Sequence, residues 1–352
     1  MKALIAMSGG VDSSLAAKLT ADSGFECIGC TMKLYDNEDA GVERSRTCCS
    51  LDDVEDARSV AYQLGMPFYV FNFTKEFKET VIRKFVDCYE NGKTPNPCID
   101  CNRYMKFDTL LKRAEVLDCE FVVTGHYARI EKCGDKFVLK KAVDLTKDQS
   151  YVLYSLTQNQ LAHIRFPLGT LRKTEVRALA EQSGFVNAAK PDSQDICFVP
   201  NGDYAAAVER FAGKAPEGDF VDINGNVLGR HSGIIHYTVG QRKGLGISFG
   251  EPMYVCKICP DNRTVTLGRN EDLFSGEADV ENFNWISGEI PKEALRCSVK
   301  IRYRQQEQPA KVIPTGKDTV HIIFDEPQRA VTPGQAAVLY DGDIVLGGGT
   351  IV

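Results

Sequence analysis

"LIAMSGGVDSSLAAKLT", Leu4–Thr20, is the stretch on which the reading of this chain turns. "ALIAM" has the character of a short, buried parallel strand. "SLAAKLTADSG" places apolar residues at helical spacing and stops at Gly24, a natural end for a helix. Between them lies "SGGVDSS". Gly9 and Gly10 carry no Cβ, so backbone N–H groups can approach an anion closely. Ser8, Ser13 and Ser14 are expected to add hydroxyl donors, and the helix start points its positive end at the same spot. A strand, a glycine turn and a helix start in this order suit a phosphate. The loop is not of the Walker type, because the pattern G-x-x-x-x-G-K-S/T is absent.

Working outward, the alternation continues. "FECIGCTMKLYD" reads as a second strand, "LDDVEDARSVAYQLG" as an amphipathic helix ending at Gly65, and "PFYVFNF" as a third strand. "KEFKETVIRKFVDCYENG" and "KFDTLLKRAEVLDC" read as helices, and "FVVTGHYARI" as another strand. Strands alternating with helices predict a parallel α/β sheet, with the ligand at the carboxyl ends of its strands. The segments after Met7, after Met32 and around Gly125 are therefore expected to converge.

The chain has 352 residues, too many for one ordinary domain. Its hydrophobic content of 43% and charged content of 26% fit a soluble globular protein, and no apolar run is long enough to span a bilayer. The opening "MKALIAMSGG" reads as a first strand, not a signal peptide, so a cytoplasmic protein with no membrane partner is expected. A net charge of −6 neither advertises nor excludes nucleic-acid binding, which needs a local basic surface only.

Thirteen cysteines, an odd number, argue against a disulfide framework in a reducing compartment. Three pairs have C-x-x-C spacing. Cys27 and Cys30 flank "IG" in a strand, where i and i+3 face opposite ways. Cys256 and Cys259 lie in a strand running into a turn, and packing explains them. "TPNPCIDCNRYMKF" is different. Its two prolines predict an exposed, non-helical loop in which Cys98 and Cys101 turn toward one point, with a helix just behind. Helix-start amides, Arg103 and Lys106 are expected to depress a thiol pKa there. Cys197 in "KPDSQDICFVP" and the adjacent Cys48 and Cys49 are further candidates.

"SGGVDSS" resembles the PP-loop of the N-type ATP pyrophosphatases. That resemblance implies a Rossmann-like sheet, with ATP and Mg2+ at this loop. The full series is more specific: "SGGVDSS", "CCSLDDVEDAR", "TPNPCIDCNRYMKF", "TGHYARI", "KDQSYVLYSLTQNQLAHIRFPLG", "KPDSQDICFVP", "YTVGQRKGLGI", "KIRYR", "TPGQAAVLYDGD" and "LGGG" occur in this order. Together they resemble the tRNA-specific 2-thiouridylase family over essentially the whole chain. The resemblance implies adenylation of the 2-carbonyl of the wobble uridine in Lys, Glu and Gln type tRNAs, followed by sulfur attack. It further implies a sulfur donor such as a cysteine desulfurase or relay protein.

Carried over residue by residue, the resemblance implies ATP contacts at Ala6, Met7, Ser8, Gly9, Gly10, Val11, Asp12 and Ser13, with Met32 and Gly125 bordering adenine and ribose. It implies tRNA contacts at Asn96, Pro97, His126, Lys147, Asp148, Gln149, Arg302, Tyr303 and Gln335. Cys101 maps onto the nucleophile and Cys197 onto the persulfide carrier, and these two would form a transient disulfide. One position departs from the pattern. The family's usual Asp of Asn-Pro-Asp-x-x-Cys-Asn is Cys98 here. Cys98, Cys101 and Cys197 then resemble the three thiolates that hold a 4Fe-4S cluster in related tRNA thiolases. The persulfide route with an extra thiol stands beside that reading.

After about residue 205 short strands broken by glycine and polar turns replace the helices, and a second such region begins near 276. The expected units are a catalytic domain over 1–205, a β-rich linker domain over 206–275 and a C-terminal β-barrel over 276–352. Between Lys292 and Lys311 six Lys or Arg stand against two Glu, which predicts a basic strand face suited to phosphates. Two other readings are a PP-loop synthetase acting on a small molecule, and a non-enzymatic iron-sulfur or zinc module. The β-rich second half and the cysteine set argue against the first, and the complete PP-loop argues against the second.

Overall fold

The computed structural model describes residues 1–36, 51–192, 196–199, 202–247 and 250–352. Cys48 and Cys49 lie outside the described residues. Five parallel strands form the first sheet: β1 (Lys2–Ala6), β2 (Glu26–Lys33), β3 (Phe68–Asn72), β4 (Phe121–Val123) and β7 (Ile164–Arg165), in the order β3-β2-β1-β4-β7. The central strand is buried on both faces. Leu4, Ile28 and Cys30 enter one core, while Ala3, Ile5 and Cys27 enter the other. Cys27 and Cys30 thus sit on opposite faces, as strand periodicity requires.

The helix α1 (Val11–Asp22) follows β1 directly, and the Leu51–Gln63 helix precedes β3. "FVVTGHYARI" is not one strand. It breaks after Val123, and β5 (Ala128–Cys133) turns away to pair with β6 (Lys136–Lys141). Close packing forces the break: a Cβ on Gly125 would stand 2.8 Å from the backbone of Asp12 and Ser13.

The cysteine segment also differs from expectation. It is helical from Pro97, and Pro97–Asp100 runs without a gap into Cys101–Thr109 and Leu110–Val116. Proline lacks an N–H and has a fixed φ, so it fits the first position of a helix. The Asn96 side chain caps that start by accepting from the Cys98 N–H at 3.2 Å. The segment Cys101–Thr109 is wound wider than an α-helix, with i→i+5 bonding.

A four-stranded sheet follows, β8 (Gly218–Val221), β9 (Val227–His231), β10 (Tyr254–Cys259) and β11 (Thr264–Gly268), in the order β10-β11-β8-β9. Its Phe220, Val255 and Val265 join the same core as Leu4 and Phe198. The last six strands are β12 (Phe274–Trp285), β13 (Leu295–Lys300), β14 (Gln308–Pro314), β15 (Val320–Arg329), β16 (Ala336–Asp341) and β17 (Ile344–Ile351). Pairing of β12 with both β15 and β17 closes them into a barrel. The β5–β6 hairpin extends this sheet through Lys140↔Ile344 and Leu139↔Val345. Arg129 clamps the same edge, its Nη2 donating to Asp343 at 2.6 Å.

The Asn96 cap generates a direct expectation. Asn96→Ala should cost about 1 kcal/mol, seen as a lower urea midpoint at unchanged slope. An unchanged midpoint would show that the cap does not hold the helix start.

Candidate active site

The carboxyl ends of β1, β2 and β4 open onto one cavity of about 410 Å³, within the range of nucleotide-sized sites. Ala6, Met7, Ser8, Gly10, Val11, Asp12 and Ser13 form one wall, and Met32 and Gly125 lie beside them. The three expected segments therefore converge. Gly9 lies behind the wall with φ +75°, and a Cβ there would run into the Asp53 carbonyl oxygen. Only glycine fits that turn.

The loop braces itself. Ser8 N–H donates to Ser13 Oγ at 3.1 Å, and the Ser13 and Ser14 hydroxyls donate to the Gly10 carbonyl at 3.0 and 3.1 Å. These two hydroxyl hydrogens point inward, contrary to the expectation that they serve the anion. The helix start carries no side-chain cap, which leaves its amides for a ligand. Asn187 supports the loop from behind. Its Nδ2 donates to Gly9 O and Ser14 Oγ, both at 2.9 Å.

A network of charges underlies the loop. Lys173 Nζ reaches Asp12 at 2.7 Å and Asp192 at 2.8 Å, and Tyr127 donates to Asp12 at 2.8 Å. Lys147 and Arg177 hold Asp192 at 2.8 and 2.9 Å. Burial pulls the Asp192 carboxyl up, but hydrogen bonds from Lys147 and Lys173 hold it at about 2. Lys190 spans Asp53 and Asp56 at 2.5 and 2.6 Å. Sequence reasoning gave no role to Lys173, Asp192, Lys190 or Asn187. "LDDVED" and "KPD" stood inside quoted motifs, yet nothing local ties them to Asp12.

The three singled-out cysteines share this cavity. Cys98 and Cys101 enter from the first turns of their helix, and Cys197 from the opposite segment. Cys197 is anchored by the buried Phe198 and by Tyr35, whose hydroxyl donates to the Cys197 carbonyl at 2.7 Å. Lining one cavity is not sharing one metal. Among the described residues no group of three His, Cys, Asp or Glu side chains is placed to hold a metal ion. The arrangement therefore gives no support to a 4Fe-4S cluster.

The thiol pKa expectation also fails. Burial pushes the Cys101 thiol up to about 11, and the pull of Lys106 does not offset it. Arg103 stacks on Tyr104 and Tyr154 instead. Lys106 also faces His126, at 3.4 Å from Nε2. His126 is buried, and burial together with Lys106 holds it well below its usual range, so it is neutral at pH 7. Asn102 lines the cavity beside Cys101. Its Nδ2 donates to Val152 O at 3.1 Å, while its buried Oδ1 has no partner among the described residues.

The remaining residues expected to touch nucleic acid are dispersed. Pro97, His126 and Gln149 line the cavity, and Gln149 accepts from Tyr127 N–H at 2.9 Å. Asp148 accepts from Ala142 N–H and from the Ser150 hydroxyl. Arg302 is not on a strand, because β13 ends at Lys300. Its Nη2 donates to Val239 O, Ala330 O and Thr332 Oγ1 at 3.1, 3.0 and 2.7 Å, which pins the barrel to the segment before β10. Gln335 donates to Thr94 O at 2.7 Å and steadies the approach to Asn96. Tyr303 packs against Tyr151, with Lys300 over both rings.

Residues 1–201 match a family model described as a tRNA methyl transferase HUP domain. Residues 206–269 match a tRNA methyl transferase PRC-barrel domain, and 275–351 an aminomethyltransferase beta-barrel domain. Among curated proteins, the tRNA-specific 2-thiouridylase of Clostridioides difficile is 53% identical over 99% of this chain and 98% of its own length. That of Acetivibrio thermocellus is 49% identical over 99% of both. A solved complex of a 4-thiouridine synthetase with RNA and ATP is 20% identical with a TM-score of 0.39, covering 59% of this chain and 52% of that one.

The raised thiol has a measurable consequence. Only the thiolate reacts with iodoacetamide, and with a pKa near 11 the thiolate fraction of Cys101 grows as pH rises. Its labelling rate should climb about tenfold per pH unit from 7 to 10 without levelling. A plateau below pH 9 would show a depressed thiol instead.

Proposed function

The chain belongs to the tRNA-specific 2-thiouridylase family, and from that premise we propose how its cavity performs the reaction. The enzyme uses ATP to activate the 2-carbonyl of a tRNA uridine and replaces its oxygen with sulfur. The observation that carries the reading is one cavity holding both the PP-loop and two cysteines from distant parts of the chain. A carbonyl oxygen is a poor leaving group. Adenylation makes it part of AMP, a good one.

The amides at the start of α1 and the Ser8 hydroxyl receive the phosphates, while Met32 and Gly125 border the nucleoside. Asp12 and Asp192 are carboxylates of the cavity wall that would hold Mg2+, which when bound neutralises charge on the phosphates. The wobble uridine enters past Pro97 and neutral His126, which stays hydrogen-bonded to Thr124 at 2.7 Å.

Cys197 carries persulfide sulfur delivered by a cysteine desulfurase or relay protein. Cys101 loses its proton and attacks Cys197 Sγ, which expels hydrosulfide and leaves a Cys101–Cys197 disulfide. Hydrosulfide adds to C2 and AMP departs. Substrates must shift the Cys101 thiol toward its thiolate, and Lys106 is the cation in place to do so. No step is routed through an iron-sulfur cluster.

The units 1–205, 206–275 and 276–352 divide the work into catalysis, linkage and tRNA contact, with Tyr303, Lys147 and Gln335 on the tRNA side. Asn96, Asp148 and Arg302 act by positioning backbone that the tRNA meets. The substrates are tRNAs of the Lys, Glu and Gln type, and the enzyme works in the cytoplasm.

Two variants test the order of steps. Ser13→Ala removes the acceptor for the Ser8 N–H, worth about 1 kcal/mol, so half-saturating ATP should rise roughly fivefold. Cys101→Ala should release pyrophosphate in a tRNA-dependent manner yet make no 2-thiouridine by nucleoside mass spectrometry. Pyrophosphate release that needs a small molecule and not tRNA would favour a small-molecule synthetase.

A further inference from the structure

The proposed cycle uses Cys101 and Cys197 and leaves Cys98 without a task. The family resemblance implies an Asp at the position of Cys98. It occupies the first turn of the helix, three residues before Cys101. Residues i and i+3 share one helix face. Helix geometry separates their Cα atoms by about 5 Å, inside the window of about 4.4–6.8 Å that a disulfide spans. The two thiols feel each other, since Cys98 contributes to raising Cys101. They differ in access: Cys98 is exposed, whereas Cys101 and Cys197 are half-buried.

Access creates the problem that Cys98 answers. A Cys101–Cys197 disulfide inside the cavity is shielded from a reductant, and bound tRNA shields it further. Thiol–disulfide exchange depends on reach to the sulfur attacked.

We propose that Cys98 is the resolving thiol of this enzyme, moving the disulfide from the cavity to the protein surface after each turnover. The Cys98 thiolate attacks Cys101 Sγ. The Cys98–Cys101 bond forms, the Cys101–Cys197 bond breaks, and the electron pair leaves on Cys197 Sγ, which takes a proton from solvent. The oxidation level is unchanged. A dithiol reductant from solution then attacks the exposed Cys98 Sγ, supplies two electrons and returns both thiols. Cys197 is meanwhile ready for the next persulfide. The inference rests on the sulfur-transfer reading above, but the exchange can be measured apart from it.

The first measurement omits tRNA. Protein is treated anaerobically with one equivalent of diamide, a two-electron thiol oxidant, then alkylated and mapped by mass spectrometry. The wild type should carry a Cys98–Cys101 linkage with Cys197 alkylated. Cys98→Ser and Cys98→Asp should both carry Cys101–Cys197. The second adds ATP, tRNA and a persulfide donor, with a dithiol in limiting amount. Cys98→Ser should give a burst of one 2-thiouridine per protein and then a steady rate at least tenfold below wild type. A wild type whose stable linkage is Cys101–Cys197, or a Cys98→Ser steady rate equal to wild type, overturns the proposal. A Cys98–Cys101 linkage without any 2-thiouridine would leave the exchange standing and defeat the sulfur-transfer reading.

Discussion

At Gly9 the chain turns with φ +75°, the Asp53 carbonyl lies against the face a Cβ would fill, and Asn187 grips the Gly9 carbonyl. Three distant segments meet at that point: the end of β1, the start of the Leu51–Gln63 helix and the segment before Cys197. The charges around it reinforce the meeting. Lys190 ties Asp53 and Asp56 to the same carbonyl, and Lys173 links Asp12 to Asp192. Buried or half-buried ion pairs of this kind fix geometry more than they add stability. Here they hold the phosphate loop against the segment that carries Asn187, Lys190 and Asp192.

Much of the parallel sheet was legible because its signals are local. "ALIAM", "SGG" and Gly24 mark a strand, a turn and a stop without reference to anything else. The misread segments are those whose structure is set by distant partners. "TPNPC" looked like a loop because prolines usually break helices, yet Pro97 at the first helical position begins one, with Asn96 as its cap. "FVVTGHYARI" has the composition of one strand. Its second half pairs with β6, which joins the barrel through β17 about two hundred residues away, and its middle must press Gly125 against α1. Arg302 read as a phosphate contact on a basic strand. The three acceptors that claim its Nη2 come from two other segments and cannot be inferred from "KIRYR".

The site shows the same division. Membership of the cavity followed from the motifs, and Cys98, Cys101 and Cys197 do line it. Its electrostatics did not follow. A helix start and a nearby lysine suggested a depressed thiol, but desolvation outweighs the pull of Lys106 and pushes the Cys101 thiol up to about 11. A thiol raised in this way holds only a small thiolate fraction near neutral pH, so its reactivity depends on what changes its surroundings. Whether three cysteines share a metal is a matter of distance, which spacing in sequence does not encode, and among the described residues no group of three side chains is placed to hold a metal ion.

The central claim is that ATP and both sulfur-handling cysteines occupy one cavity. The direct measurement is thiol footprinting with N-ethylmaleimide, with and without ATP and Mg2+, read residue by residue by mass spectrometry. Cys133, exposed on the β5–β6 hairpin, is the internal control. The account predicts that ATP slows modification of Cys101 and Cys197 together and leaves Cys133 unchanged. Equal modification of Cys101 and Cys197 at saturating ATP would contradict it.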